Sequence, residues 1–107
     1  MKGLHVDGLP SDVLYDDVAF IYAVRTGIPG LVVRNTIKLL GGHREIIADL
    51  LGITPNNLHR IYNKAALTKN QSEAILDLLR LYAYATTIFD NDDIVRSWLD
   101  CEIPALS

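Results

Sequence analysis

Arg44-Glu45-Ile46-Ile47-Ala48-Asp49-Leu50-Leu51-Gly52-Ile53-Thr54-Pro55-Asn56-Asn57-Leu58-His59-Arg60-Ile61 is the stretch on which the reading of this chain turns. Its spaced residues answer the steric demands of two helices joined by a tight turn, the helix-turn-helix pattern. Ala48 is small where such helices approach, and Gly52, four residues on, can take the positive φ that a short turn requires. Ile47, Leu51, Ile53, Leu58 and Ile61 supply an apolar wedge between the two segments. Thr54 is placed to cap the second helix and Pro55 to occupy its first position, where a missing N–H is harmless. An ordinary helical hairpin with a glycine in its turn satisfies the same spacing, so the outer face of the second helix has to separate the two readings.

With about 100° per residue and Leu58 taken as inward, Ile61, Tyr62 and Ala65 are expected to pack beneath the helix. Asn56, His59, Arg60, Asn63 and Lys64 fall on the opposite side, a face of amides, an imidazole and two cations without a carboxylate. Such a face suits the major groove of double-stranded DNA. Asn can pair with adenine N6 and N7 and Arg with guanine O6 and N7, each good bidentate contact contributing roughly 1–3 kcal/mol of discrimination. Arg60 and Asn56 are therefore the expected base readers, while Arg44, Thr54 and Lys64, near the helix ends, are expected to grip phosphates.

Charge is distributed in the same sense. Seven basic residues (Arg25, Arg34, Lys38, Arg44, Arg60, Lys64 and Lys69) stand against Glu45 and Asp49 across the middle of the chain, a net +5, so the flanking segments carry −8 of the total −3. A negative total excludes unspecific attachment to nucleic acid or anionic lipid, and one such motif makes few contacts, so useful affinity for operator DNA calls for a homodimer or higher homo-oligomer.

Working outward, glycine and proline punctuate an all-α chain with no alternation long enough for a strand. Ser11 or Asp12 is expected to cap a first helix that ends at Gly27. A second helix runs from about Leu31 to Leu40 and stops at Gly41-Gly42, a third from about His43 to Leu51, and the fourth reaches about Ala65. Thr68 and Gln71 read as a capping box for a long helix from Lys69 to Phe89, on which Ser72, Glu73, Asp77, Arg80, Thr86 and Thr87 look solvent-facing. So apolar a helix is expected to share its surface with a partner, and a short helix from about Asp92 to Asp100 follows it. Three regions result: a helical segment over 1–27, the helix-turn-helix region over 28–67, and a region over 68–107.

Enzymatic signatures are missing from the sequence. His5, His43 and His59 have no cysteine or carboxylate partner at metal-ligand spacing, and Asp90-Asn91-Asp92-Asp93 lacks the glycine and distal glutamate of a calcium loop, so no metal and no cofactor is expected. Cys101 cannot form an internal disulfide and sits among acidic residues, which argues for packing and a cytoplasmic location; no apolar run long enough for a membrane span occurs.

From Ile28 onward the sequence resembles the Xre/MbcA/ParS-like antitoxins. The resemblance rests on the helix-turn-helix followed in order by Leu67-Thr68, Phe89-Asp90-Asn91, Trp98-Leu99 and Pro104-Ala105-Leu106. It implies an antitoxin of a type II toxin-antitoxin pair that dimerises through its later helices, represses its own operon and neutralises a cognate RES-type toxin that degrades NAD or transfers ADP-ribose. Leu79, Tyr82, Tyr84, Phe89, Trp98 and Leu99 are then the expected dimer or toxin interface, and 68–107 the beginning of the toxin-binding and dimerisation region. Two departures stand out. Asp90 occupies the place of a small residue, and the family's toxin-contacting end, which follows Pro-Ala-Leu, has no counterpart before Ser107. The competing readings are a stand-alone phage-type repressor and, given the acidic total charge, a protein-binding module with a relic helix-turn-helix.

Overall fold

Asp16 accepts a hydrogen bond from the Val18 amide at 3.0 Å, and this cap starts the first helix, α1, Asp17–Thr26. The computed structural model describes residues 9, 12–89, 93–95 and 97–98. Helix α1 begins later than the expected caps at Ser11 or Asp12. The Tyr15 and Asp16 amides both turn back to the Asp12 carbonyl, at 3.0 and 2.9 Å, and Asp16 is extended (φ −121°, ψ 119°), which breaks helical continuity before Asp17. Gly27 then ends α1 at φ 86°, where a Cβ would lie 2.5 Å from the Leu67 carbonyl oxygen.

Helix α2 spans Gly30–Leu39 and closes through paired backbone bonds: Gly42 N–H to the Ile37 carbonyl at 2.9 Å and Gly41 N–H to Lys38 at 3.2 Å. This is the Schellman arrangement, which needs the left-handed residue that Gly41 supplies at φ 80°. Helix α3, Arg44–Leu50, ends the same way, with Ile53 N–H on Ala48 at 3.0 Å and Gly52 N–H on Asp49 at 3.1 Å around Gly52 at φ 74°. A 3₁₀ turn over Pro55–Asn57 leads directly into α4, Leu58–Tyr62.

Helix α5, Lys69–Ile88, is opened by the expected capping box. The Thr68 hydroxyl accepts from Gln71 N–H at 3.2 Å, and the Gln71 side chain accepts from Thr68 N–H at 3.3 Å. The Gln71 amide group also donates to the Leu51 carbonyl at 3.4 Å, tying the start of α5 to the end of α3. Beyond it, residues 93–95, 97 and 98 are helical. Every described element is helical, and none of these helices is long and apolar enough to cross a membrane.

The core forms on α5. Ile75, Leu76 and Leu79 are fully buried and meet Phe20 and Val24 of α1, Val32 and Val33 of α2 and Ile47 of α3 in one cluster. Helix α1 lies antiparallel to α5: Asp17, at its start, reaches Arg80 at 3.8 Å, while Arg25, at its end, shares a cleft with Lys69 and Glu73. The Arg80 guanidinium also sits 4.5 Å over the Phe20 ring, a cation–π contact that covers the rim of the core.

Two expectations for α5 are corrected. Ser72 is fully buried, because its hydroxyl accepts the otherwise unpaired Ile28 N–H at 3.1 Å, a partner 44 residues away. Leu79 and Tyr82, expected on a partner-facing surface, are 0% and 2% exposed and complete this chain's own core.

Candidate nucleic-acid interface

The segment from Pro55 to Lys64 is held from below by two side chains and from one end by a backbone contact. Leu58 and Ile61 are buried at 0% and 3% exposure, while Tyr62 is half-buried. At the end, the first residue of α2 lies against the last turn of α4. A Cβ on Gly30 would overlap the Ile61 carbonyl oxygen, and Gly30 N–H donates to the Lys64 carbonyl at 2.9 Å. Leu67 N–H in turn donates to the Ile28 carbonyl at 2.8 Å. These two bonds pull residues 64–67 alongside 28–30.

Helix α4 is shorter than its sequence pattern suggests for that reason. It stops at Tyr62 with tightening bonds from Asn63 to Arg60 at 3.3 Å and from Lys64 to Ile61 at 3.1 Å. Ala65, expected beneath the helix, is exposed, since the chain has already left the helical path. The role expected of Thr54 as a side-chain cap is also not taken up: its hydroxyl accepts from the Asn57 side-chain amide at 3.0 Å and makes no bond to the helix backbone.

Asn56, His59, Arg60, Asn63 and Lys64 are all exposed, as are Arg44 at the start of α3 and Thr54 in the turn. His59 and Arg60 belong to α4, Asn56 to the 3₁₀ turn that leads into it, and Asn63 and Lys64 follow its last residue. Asn63 is partly committed, because its amide group donates to the His59 carbonyl at 3.1 Å; one amide N–H and the carbonyl oxygen are left for a partner. No Asp or Glu occurs between Asp49 and Glu73, so this surface carries no carboxylate of its own segment.

All seven cations of the basic middle are exposed, and among the described residues none of them lies within ion-pair distance of a carboxylate. Their charge is therefore not neutralised locally and is open to an anionic partner. Gly30 is the positioning residue that sequence reasoning passed over. A glycine at the start of an otherwise apolar helix, directly after Pro29, was the available signal, since helix propensity alone favours almost any other residue there.

The second set of expected residues does not assemble into one surface. Leu79 and Tyr82 are interior, Tyr84 is 64% exposed, and Phe89 and Trp98 are half-buried against each other with ring centroids 6.1 Å apart at 49°. Leu99 lies outside the described residues. Comparison with models of known protein families, with curated proteins and with solved structures finds no match for this chain.

Proposed function

We propose that this chain is a regulator that binds double-stranded operator DNA, with the segment from Thr54 to Lys64 acting as the second helix of a helix-turn-helix laid in the major groove. The observation that carries the reading is the division of that short segment. Leu58 and Ile61 are buried, while Asn56, His59, Arg60, Asn63 and Lys64 face outward. Asn56 and Arg60 have the bidentate chemistry that distinguishes adenine and guanine edges, and in this reading the exposed Arg44, Thr54 and Lys64 hold phosphates. No catalytic step is assigned to the chain.

The antitoxin reading extends this proposal and rests on the sequence order from Leu67-Thr68 to Pro104-Ala105-Leu106. In it the DNA is the chain's own promoter and the second partner is a RES-type toxin. Fluorescence anisotropy with promoter DNA tests the first part: Asn56→Ala and Arg60→Ala should each weaken binding, and unchanged affinity in both refutes the assigned face. Co-purification with the product of the adjacent gene tests the second.

A further inference from the structure

We propose that α1 is the surface on which two copies of this chain pair, antiparallel about a two-fold axis beside Ile21. Helix α1 buries Phe20 and Val24 against α5 and leaves Val18, Ile21 and Tyr22 at 75%, 53% and 69% exposure. These three stand at i, i+3 and i+4 and form one continuous strip. Their exposed side chains amount to apolar surface on the order of a few hundred Å², the upper end of what a monomer leaves in water. A standard interface takes about 800 Å² from each partner, so the strip supplies the apolar centre and its flanking charges the rim.

The charges identify the occupant as a second copy. Asp17, Ile21 and Arg25 share one row at four-residue spacing, with opposite charges at equal distances from Ile21. Two copies of α1 laid antiparallel about Ile21 bring Asp17 of each against Arg25 of the partner subunit, giving two ion pairs from one register. A parallel pairing would oppose Asp17 to Asp17 and Arg25 to Arg25, and the helix dipoles would repel as well. Asp17 is 89% exposed and its 3.8 Å pair with Arg80 leaves most of the carboxylate in solvent, while Arg25 has no ion-pair partner among the described residues. Two-fold symmetry makes such a face isologous, which is the property a self-complementary charge pattern requires.

A pair of this kind also serves the DNA-binding proposal, but the inference rests on α1 alone and is tested without DNA. Sedimentation of the full chain across the micromolar range should show a reversible dimer. Val18→Glu and Tyr22→Glu should each give monomer that melts as the parent does when diluted below its dimer dissociation constant, since both side chains lie outside the core. Asp17→Arg and Arg25→Asp should each raise the dimer dissociation constant roughly tenfold or more through like-charge opposition. An equimolar mixture of those two variants should recover parental affinity, because every facing pair is then of opposite sign. A chain that stays monomeric, a dimer that survives Val18→Glu and Tyr22→Glu, or a mixture that fails to recover overturns the proposal. A monomer that still binds promoter DNA would remove the pairing and leave the DNA reading standing, and a dimer indifferent to DNA would do the reverse.

Discussion

The Gly30 amide donates to the Lys64 carbonyl at 2.9 Å, and this contact between the first residue of α2 and the residue that ends the outward face of α4 is possible only because Gly30 has no side chain. Two effects compete on adding one. Alanine gains about 1 kcal/mol in helix propensity over glycine. Its Cβ, however, would overlap the Ile61 carbonyl oxygen, which is backbone and cannot rotate aside. Overpacking of this kind costs about 1–3 kcal/mol and moves the two helices apart. Gly30→Ala should therefore lower the urea midpoint, and should weaken DNA binding even where the fold survives, because Asn56 to Lys64 shift with α4.

Gly52 gives the opposite case. Nothing lies within 4 Å of where its Cβ would be, so space is free, but its φ of 74° is the left-handed region. Gly52→Ala should cost about 1–2 kcal/mol from backbone strain alone, and Gly52→Asn less, since asparagine enters that region more readily. Denaturant titration of both variants separates the two glycine roles: asparagine should recover part of the loss at position 52 and none at position 30.

Ser72 and Thr87 are both hydroxyl residues of α5, yet they should respond differently to alanine. Ser72 accepts the buried Ile28 N–H, and removing its oxygen leaves that donor unsatisfied at a cost of about 1–3 kcal/mol. Thr87 is exposed and bonds back to the Tyr84 carbonyl at 2.6 Å, which water can replace. Ser72→Ala should lower the melting temperature clearly, while Thr87→Ala should leave it nearly unchanged.

What the sequence disclosed and what it withheld divide along the range of the interactions. The box of Thr68 and Gln71, the left-handed Gly52, the buried Leu58 and Ile61 and the exposed amide and cation face are local matters, decided by residues within one or two turns. The burial of Ser72 is not legible locally, because its partner is 44 residues away. The end of α4 is likewise set at a distance: hydrogen bonds from Gly30 and Leu67, not local propensity, draw residues 64–67 out of the helix. For Leu79 and Tyr82, an excess of apolar side chains on one helix does not reveal that α1, α2 and α3 of the same chain cover them in place of a partner.

Asp77 has a carboxyl raised from its ordinary value, first by desolvation on partial burial, then by the negative Glu73 one turn away; Arg80 offsets part of this. A raised folded-state pKa means that ionisation is harder in the folded chain than in the unfolded one. Its protonated form therefore favours the fold below the ordinary carboxylate range, and that advantage is lost as pH rises through the shifted value. Asp77→Asn, which stays neutral, should melt at a higher temperature than the parent at pH 7. The difference should vanish in acid, where Asp77 is protonated in both states, and melts recorded across that range check the sign.

Arg60 lies within α4 and Lys64 two residues beyond its end, both exposed, and they should fail in different ways when truncated. A side chain that reads a base edge loses discrimination at one operator position when removed, at a cost of about 1–3 kcal/mol, whereas one that holds a phosphate weakens all sequences alike and lowers the salt slope by about 1. Arg60→Ala should therefore bind the operator and a variant substituted at one position with nearly equal affinity. Lys64→Ala should keep the parent's ratio between those two DNAs while showing a shallower dependence of affinity on salt. Neither substitution touches the buried Leu58 or Ile61, so both variants should melt as the parent does. Anisotropy titrations at several salt concentrations with the two DNAs decide the matter: identical losses for both variants on both sequences would mean that this face meets DNA through charge alone and reads no bases.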